Sequence, residues 1–349
     1  MKNKKWISLA AAVILAVTAL PMTAFAAEKD GGEEKLTKVT LNEVAHSIFY
    51  APQYVAIEEG YFSEEGLDLT LITGFGADKV LTALISGEAD IGFMGAEASI
   101  YAYQEGATDP VVNFAQLTQR AGNFLVAREE MPDFKWEDLK GRKVIGGRKG
   151  GMPEMVFEYI LKQNHIDPAS DLTIDQNIDF GSTAAAFAEE KADYDFTVEF
   201  EPGATNLEKQ EKGYVVASLG TDSGYVPYTA FSAKKSYISQ HPEIIQGFTN
   251  ALQKGMNYVA SHTPEEIAQV IAPQFKETTP DTITTIVSRY YEQDTWKKDL
   301  IFRQESFDLL QDILEDAGEL KKRAPYKNLV TTIYAEKSAK TVKDTTISH

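Results

Sequence analysis

The feature that most constrains the fold of this chain is the alternation of short apolar segments with amphipathic ones from Lys38 to Ser232. Residues 67–72 have the composition of a strand, and residues 77–86 carry apolar side chains at helical spacing. Strands that alternate with helices build parallel α/β units. After Ser232 only helices are predicted, over 242–261, 264–272, 280–291 and 305–317. The sequence therefore predicts an α/β chain with a helical C-terminal stretch.

The length and the pattern together predict two units. At roughly 150 residues per domain, the 349 residues allow two. The strand–helix pattern restarts near Glu129, where a predicted strand at 143–145 leads into a glycine-rich loop and a helix that begins at Pro153. Proline is well placed at the first position of a helix, because its missing N–H would be unpaired there.

The two ends of the chain are predicted to lie outside these units. Residues 1–26 combine three lysines, an apolar run at 7–20 and Ala24-Phe25-Ala26, the order of a secretory signal peptide. A membrane helix would need about 20 apolar residues and meets Pro21 too early. We therefore expect cleavage after Ala26 and an exported, soluble protein. Residues 27–37 are predicted to be a disordered leader and 336–349 a polar tail.

Composition excludes several function classes. The chain has no cysteine, which removes disulfides, thiolate metal sites, cysteine nucleophiles and lipid attachment through sulfur. Its 34 basic and 52 acidic residues give a net charge of −18. A nucleic-acid binder needs a basic face to displace counterions, so nucleic acid is not an expected partner.

Catalytic and metal-binding motifs are not found in the sequence. There is no Gly-x-Ser-x-Gly elbow and no phosphate-binding Gly-x-x-x-x-Gly-Lys loop. The five histidines are scattered singly, so we expect neither a metal site nor a cofactor. His46 alone lies beside a candidate ligand loop, where a structural role and a ligand contact remain equally open.

Residues that follow the predicted strands are the candidates for ligand binding. In open α/β sheets, ligands bind beyond the carboxyl ends of the strands. Several of these ends carry glycine, aromatic or small polar residues, and Glu97 begins a helix after one of them. Glu199 and Glu201 follow another strand, and alternation alone leaves open which of the two faces the cleft.

These residues, in this order, resemble one family of solute-binding proteins of ABC importers, those for nitrate, sulfonates, taurine and thiamine-pyrimidine precursors. The resemblance is carried by residues 44–56 (VAHSIFYAPQYVA), 59–67 (EGYFSEEGL), 83–92 (ALISGEADIG) and 139–144 (LKGRKV). Glu201-Pro202 with 214–216 fits the second half of the family pattern. The similarity extends from about Val39 to Tyr291.

The resemblance implies a two-lobed periplasmic-binding-protein-like fold of type II. It places lobe 1 at 38–128 plus 231–335 and lobe 2 at 129–230, so the chain passes between the lobes twice. The lobes would close on a small organic ligand, because the ligand touches both halves only in the closed state. The closed protein, a monomer, would then dock on an ABC permease and its ATPase and would itself catalyse nothing. Family members of Gram-positive bacteria are commonly tethered by a lipidated cysteine, which this chain lacks.

The resemblance also implies that the loops after the strands line the cleft. The candidates in lobe 1 are Ser47, Phe49, Tyr50, Gly76, Met94, Glu97, Thr118 and Gln119. The candidates in lobe 2 are Gly150, Gly151, Met152, Glu199, Glu201, Tyr225 and Tyr228.

The types of these residues favour one ligand class over another. Aromatic faces and carboxylates, which only accept hydrogen bonds, suit a flat nitrogen heterocycle with N–H donors, such as a thiamine-precursor aminopyrimidine. The alternative is a sulfonate, taurine or nitrate, held at the helix start after Gly150 and Gly151 with Arg148 and Lys149 nearby. A third reading is a pyrimidine-synthesising enzyme of the same fold that acts through His46.

Overall fold

The computed structural model describes residues 35–178 and 181–342. The predicted signal peptide, most of the predicted leader and residues 343–349 lie outside these ranges. No helix within 35–178 or 181–342 combines the length and the apolar character that a membrane span needs.

The first sheet has five strands, of which four come from the first third of the chain. They are β1 (Thr37–Glu43), β2 (Leu67–Thr73), β3 (Ile91–Met94), β4 (Val111–Gln116) and β10 (Ala230–Lys234), in the spatial order β2-β1-β3-β10-β4. Strand β1 pairs in parallel with β2 and β3, whereas β10 is antiparallel to both β3 and β4.

The second sheet repeats this arrangement. Its strands are β5 (Asn123–Ala127), β6 (Lys143–Ile145), β7 (Thr173–Asp175), β8 (Phe196–Phe200) and β9 (Tyr214–Ser218), in the order β7-β6-β8-β5-β9. Strand β6 is parallel to β7 and β8, and β5 is antiparallel to β8 and β9.

The prediction of parallel units is therefore incomplete, because each sheet contains one antiparallel strand. These strands, β10 and β5, are the first ones that the chain forms after it passes from one sheet to the other. The first passage lies between Gln116 and Asn123, earlier than the lobe boundary predicted at 128. The second lies between Ser218 and Ala230, and the predicted boundary at 230 falls at its end. The lobe boundaries stay a prediction.

Helices cover the sheets and form the C-terminal stretch. In chain order they are α1 (Ala51–Glu58), α2 (Tyr61–Glu64), α3 (Ala77–Ser86), α4 (Glu97–Gln104), α5 (Met152–Gln163), α6 (Thr183–Ala188), α7 (Gly203–Lys209), α8 (Leu219–Asp222), α9 (Lys235–Gln240), α10 (Pro242–Ser261), α11 (Pro264–Ile271), α12 (Pro280–Glu292), α13 (Gln304–Asp316), α14 (Tyr326–Leu329) and α15 (Ile333–Thr341). Helix α15 enters the segment predicted as a polar tail, because Tyr334, Ala335 and Ser338 are buried against the rest of the protein.

Helix α3 illustrates why the local sequence specifies its element. Val80 and Leu84 are one turn apart and both are buried, so one face of the helix packs on the sheet. The helix ends at Gly87, whose φ of 82° lies in the left-handed region that a helix C-terminus often requires.

Candidate functional site: two adjoining chambers between the sheets

A cleft lies where strand ends and helix starts from both sheets meet, and it contains two chambers. The front chamber has a volume of about 180 Å³, and the rear chamber has a volume of about 210 Å³. Among the predicted site residues, the front chamber is lined by Tyr50, Gly76, Glu97, Gly151, Met152 and Tyr228. The rear chamber is lined by Ser47, Glu199 and Glu201. Four residues line both chambers, namely Phe75, Gly147, Pro153 and Phe200.

Hydrogen bonds join the two sides of this cleft. The Ser47 hydroxyl donates to the Glu201 carbonyl oxygen over 2.8 Å. Beside the front chamber, Arg148 donates to Asp78 over 3.1 Å, and the Tyr101 hydroxyl donates to the Gly150 carbonyl over 3.1 Å. These bonds connect the two sides of the cleft beside the chambers.

Glu97 supplies the front chamber with a buried carboxyl group. A Cβ atom at Gly95 would lie 2.1 Å from the Glu97 Oε2 atom, so any other residue at position 95 would displace this carboxyl group. The backbone N–H groups of Glu97 itself and of Met152 favour the charged form of the carboxyl, but Oε2 has no hydrogen-bond partner among the described residues. Burial disfavours the charged form and raises the pKa of Glu97 to about 7.

Glu199 supplies the rear chamber with a second buried carboxyl group. Thr183 and Thr197 donate their hydroxyls to its two oxygens over 3.0 and 2.6 Å. Burial outweighs these bonds and raises the pKa of Glu199 to about 7. Each chamber thus holds one carboxyl that is close to half-protonated at neutral pH.

Glu201 has a different environment, although it also lines the rear chamber. Its carboxylate accepts hydrogen bonds from both the backbone and the hydroxyl of Thr205 and from Arg289 Nη1 at 2.7 Å. These partners tie it to α7 and α12. Of the two glutamates left open by the sequence, Glu199 is the one whose carboxyl is held only by threonine hydroxyls.

His46 lines the rear chamber, but both of its ring nitrogens are occupied. Nδ1 lies 2.8 Å from a Glu43 carboxylate oxygen, and Nε2 lies 2.9 Å from the Gln274 carbonyl oxygen. Both partners accept hydrogen bonds, so this geometry favours the doubly protonated ring. Burial lowers the pKa of His46, and the bonds to Glu43 and Gln274 outweigh it, leaving the pKa above its ordinary value.

The remaining predicted site residues lie outside both chambers. Phe49 is buried behind the front chamber, with its ring centroid 5.0 Å from that of Tyr50. Met94 is buried in the core, and Gly150 lines an outer groove of about 750 Å³ that shares Glu97 with the front chamber.

The three other predicted site residues form hydrogen bonds with neighbouring protein groups outside the chambers. Thr118 bonds to the Thr229 hydroxyl at 2.6 Å, and Gln119 donates to the Asp294 carbonyl at 3.1 Å. Tyr225 is 57% exposed and donates to the Asp294 side chain.

Phe75 and Asn123 are two of the several lining residues that were not among the predicted site residues. Phe75 lies between two glycines in the loop after β2 and is 61% exposed. Asn123 is the first residue of β5, 1% exposed, and lies in the rear chamber. The loop after β2 was recognised through Gly76, but no sequence signal marked Asn123.

Comparison with known proteins identifies the relatives of this chain. The protein YtlA of Bacillus subtilis (strain 168), named as a candidate binding protein, is 46% identical over 333 residues, which cover 95% of this chain and 98% of YtlA. The riboflavin-binding protein RibY of Chloroflexus aurantiacus is 27% identical over 240 residues, 66% of this chain and 65% of RibY.

A solved structure agrees in fold. The periplasmic nitrate-binding protein NrtA from Synechocystis PCC 6803 superposes with a TM-score of 0.72 at 14% identity, covering 88% of this chain and 90% of NrtA. The two mixed sheets therefore have the periplasmic-binding-protein fold, as the sequence predicts. The model of the NMT1/THI5-like family matches residues 48–267, and with the YtlA similarity this shows that the chain belongs to the NMT1/THI5-like family.

Proposed function

We propose that this chain is the solute-binding component of an ABC importer. It would act outside the cytoplasm as a monomer, close its two lobes on a small organic ligand and deliver that ligand to a membrane permease with its ATPase. The family membership, the similarity to YtlA and the enclosed cleft between two sheets support this function. The lobe boundaries and the predicted signal peptide belong to the same proposal.

The ligand that the front chamber supports best is a flat nitrogen heterocycle, with a thiamine-precursor aminopyrimidine as the favoured member. The observation that carries this choice is the buried Glu97 Oε2 atom, which has no hydrogen-bond partner among the described residues. Leaving a buried polar atom unpaired costs about 1–3 kcal/mol. A ligand N–H would remove that cost, while Tyr50 and Tyr228 offer flat faces to a ring.

A sulfonate remains the second candidate because cations also reach the front chamber. Arg148 and Lys79 both line it, and α5 begins there at Met152. Arg148 is already paired with Asp78, however, and a buried carboxylate at Glu97 would repel an anion. A sulfonate would therefore need Glu97 in its protonated form.

The two ligand classes predict opposite responses to pH. Because the pKa of Glu97 is about 7, its ionised fraction rises between pH 6 and 8. Binding of an N–H donor should strengthen over this range, whereas binding of a sulfonate should weaken. Titration calorimetry with hydroxymethyl- and formylaminomethyl-aminopyrimidine, riboflavin, taurine and alkanesulfonates at pH 6, 7 and 8 distinguishes the two classes.

Glu97→Gln is the matched variant for this titration. Glutamine keeps the shape of the side chain but cannot ionise, so the part of the pH dependence that comes from Glu97 should disappear. Binding of the N–H donor should weaken by about tenfold, the difference between a charged and a neutral hydrogen bond. Sulfonate binding that weakens with rising pH, with no heterocycle bound, would overturn the heterocycle proposal.

The enzyme alternative through His46 has little support from the site. Neither ring nitrogen is open to a bound ligand, because Glu43 and the Gln274 carbonyl occupy both. Proton transfer to or from a ligand at this position would first require one of these bonds to break.

A further inference from the structure

The rear chamber contains a buried donor that the proposed function does not yet use. The Nδ2 atom of Asn123 has no hydrogen-bond partner among the described residues. The other end of the same amide is occupied, because the Tyr228 hydroxyl donates to Oδ1. The amide is therefore held in place with its N–H group unpaired. A ligand acceptor such as a ring nitrogen or a carbonyl oxygen would satisfy it.

The unpaired atoms of the two chambers are complementary in type. The front chamber contributes an acceptor, Glu97 Oε2, and the rear chamber contributes a donor, Asn123 Nδ2. Binding pockets for small organic ligands usually have volumes of about 300–1,000 Å³. Each chamber alone, at about 180 and 210 Å³, is smaller than that range, and the two together fall within it.

Phe75 lies where the two chambers meet. It lines both of them, and most of its side chain is exposed, so few contacts hold the ring in place. Its φ of 56° lies in the left-handed region, which is unfavourable for a residue with a side chain. Gly147, Pro153 and Phe200 also line both chambers, so these four residues form the boundary between them.

We propose that the two chambers form one site for a ligand of two or more linked or fused heteroaromatic rings, which donates to Glu97 at its front end and accepts from Asn123 at its rear end. Phe75 is the partition that moves to admit the ligand and then covers it. This inference rests on the proposed function, since it extends the same heterocycle from the front chamber into the rear one.

A series of probes that differ in ring number tests the proposal on the unaltered protein. The probes are a single-ring hydroxymethyl-aminopyrimidine, a two-ring pterin and the three-ring lumiflavin, each titrated by calorimetry at pH 7. We expect at least one multi-ring probe to bind about tenfold or more tightly than the single ring, because it pairs Asn123 as well as Glu97.

Variants locate the second contact. Asn123→Asp keeps an acceptor for the Tyr228 hydroxyl but removes the donor. Asn123→Ser is a second variant, which introduces no charge. Both should weaken the multi-ring probe by about tenfold and weaken the single-ring probe less, because only the multi-ring probe reaches the Asn123 donor. Glu97→Gln should weaken every probe, and melting curves of each variant verify that it is folded.

Two results would overturn the proposal. One is a single-ring probe that binds as tightly as both multi-ring probes. The other is an Asn123 variant that binds all heterocycles with native affinity. Either result leaves the proposed function intact, since a heterocycle is still bound. If only sulfonates bind, the proposed ligand class fails, and the two-chamber proposal fails with it.

Discussion

At the scale of single residues, Phe75 combines a cost in stability with a role in the cleft. Phe75→Gly removes the left-handed strain, while Phe75→Ala removes the same ring but keeps the strain. We therefore expect the glycine variant to be more stable than the alanine variant by about 1 kcal/mol. Urea denaturation followed by circular dichroism measures this difference in the free energy of unfolding.

The same two variants should bind ligand equally weakly, because both lack the ring. The two variants would then differ in stability but not in affinity, as expected for a residue whose strained backbone supports binding. Equal stability of the two variants would show that the backbone at residue 75 relaxes at no cost. Native affinity in both would remove Phe75 from the site.

The candidate site could be predicted from the sequence only where a strand end or a helix start marked it. Glu97 and Met152 were found because each begins a helix after a strand, and parallel strands bring those positions to one edge. Asn123 could not be found by this rule. Strand β5 runs antiparallel to β8, so its first residue, Asn123, lies opposite Phe200 at the end of β8. The direction of β5 depends on pairing partners far away in sequence.

At the scale of elements, α12 is connected to the second sheet by a buried ion pair. Arg289 Nη1 lies 2.7 Å from Glu201, and Nη2 lies 2.7 Å from Glu208. The Glu201 carboxylate is fully buried, whereas the Arg289 side chain is 27% exposed. Burial lowers the pKa of Arg289, and the bonds to both glutamates outweigh it and raise the pKa above its ordinary value.

Removal of the Arg289 side chain should therefore lower the free energy of unfolding by more than an ordinary surface substitution does. Arg289→Met leaves the Glu201 charge buried without its cation, and we expect the free energy of unfolding to fall by about 3 kcal/mol. The double variant Arg289→Met with Glu201→Gln should recover much of that loss, because no buried charge is left unpaired. Urea denaturation of both variants tests this. A loss below about 1 kcal/mol in the single variant would mean that water reaches and solvates Glu201.

The elements themselves were largely predictable, and the exceptions have a physical reason. Helix α3 and strand β6 have the predicted bounds, since an amphipathic stripe or a short apolar run is encoded locally. Strand β5 was not predicted. All five of its residues are buried, so its sequence lacks the alternation that marks a half-exposed strand. Helix α15 forms from a mostly polar segment because its few apolar residues pack against α10.

At the scale of the whole molecule, three buried carboxyl groups give the protein an unusual dependence on pH. Burial raises the pKa of Glu97 and Glu199 to about 7 and that of Glu154 to about 8. Glu154 lies in α5, where Gln176 donates to it and Gly150 N–H donates to Oε2 at 3.2 Å. His46 also has a raised pKa, so it is a fourth group whose titration lowers the free energy of unfolding as the pH rises.

The free energy of unfolding should accordingly fall as the pH rises from 5 to 8. The folded protein keeps protons on these carboxyls at pH values where the unfolded chain, with ordinary glutamate pKa values near 4.3, has released them. The stability that these bound protons provide is fully present below a pH of about 4.3 and is lost as the pH rises through 7 and 8. Each group contributes a slope of at most about 1.4 kcal/mol per pH unit. Carboxyls with lowered pKa, such as Asp175 and Asp299, act at lower pH and do not oppose this trend.

Urea denaturation at pH 5, 6, 7 and 8 measures this slope, and the double variant Glu97→Gln with Glu199→Gln should make it shallower. Glutamine holds no titratable proton, so the slope that remains comes from the other groups with raised pKa, among them Glu154, His46 and Asp222. A ligand whose N–H binds ionised Glu97 should also reduce the slope, because it stabilises the charged form that burial disfavours. Stability that stays level or rises between pH 5 and 8 would mean that these carboxyls are already ionised in the folded protein. The cleft would then be negatively charged throughout this pH range, which disfavours a sulfonate there.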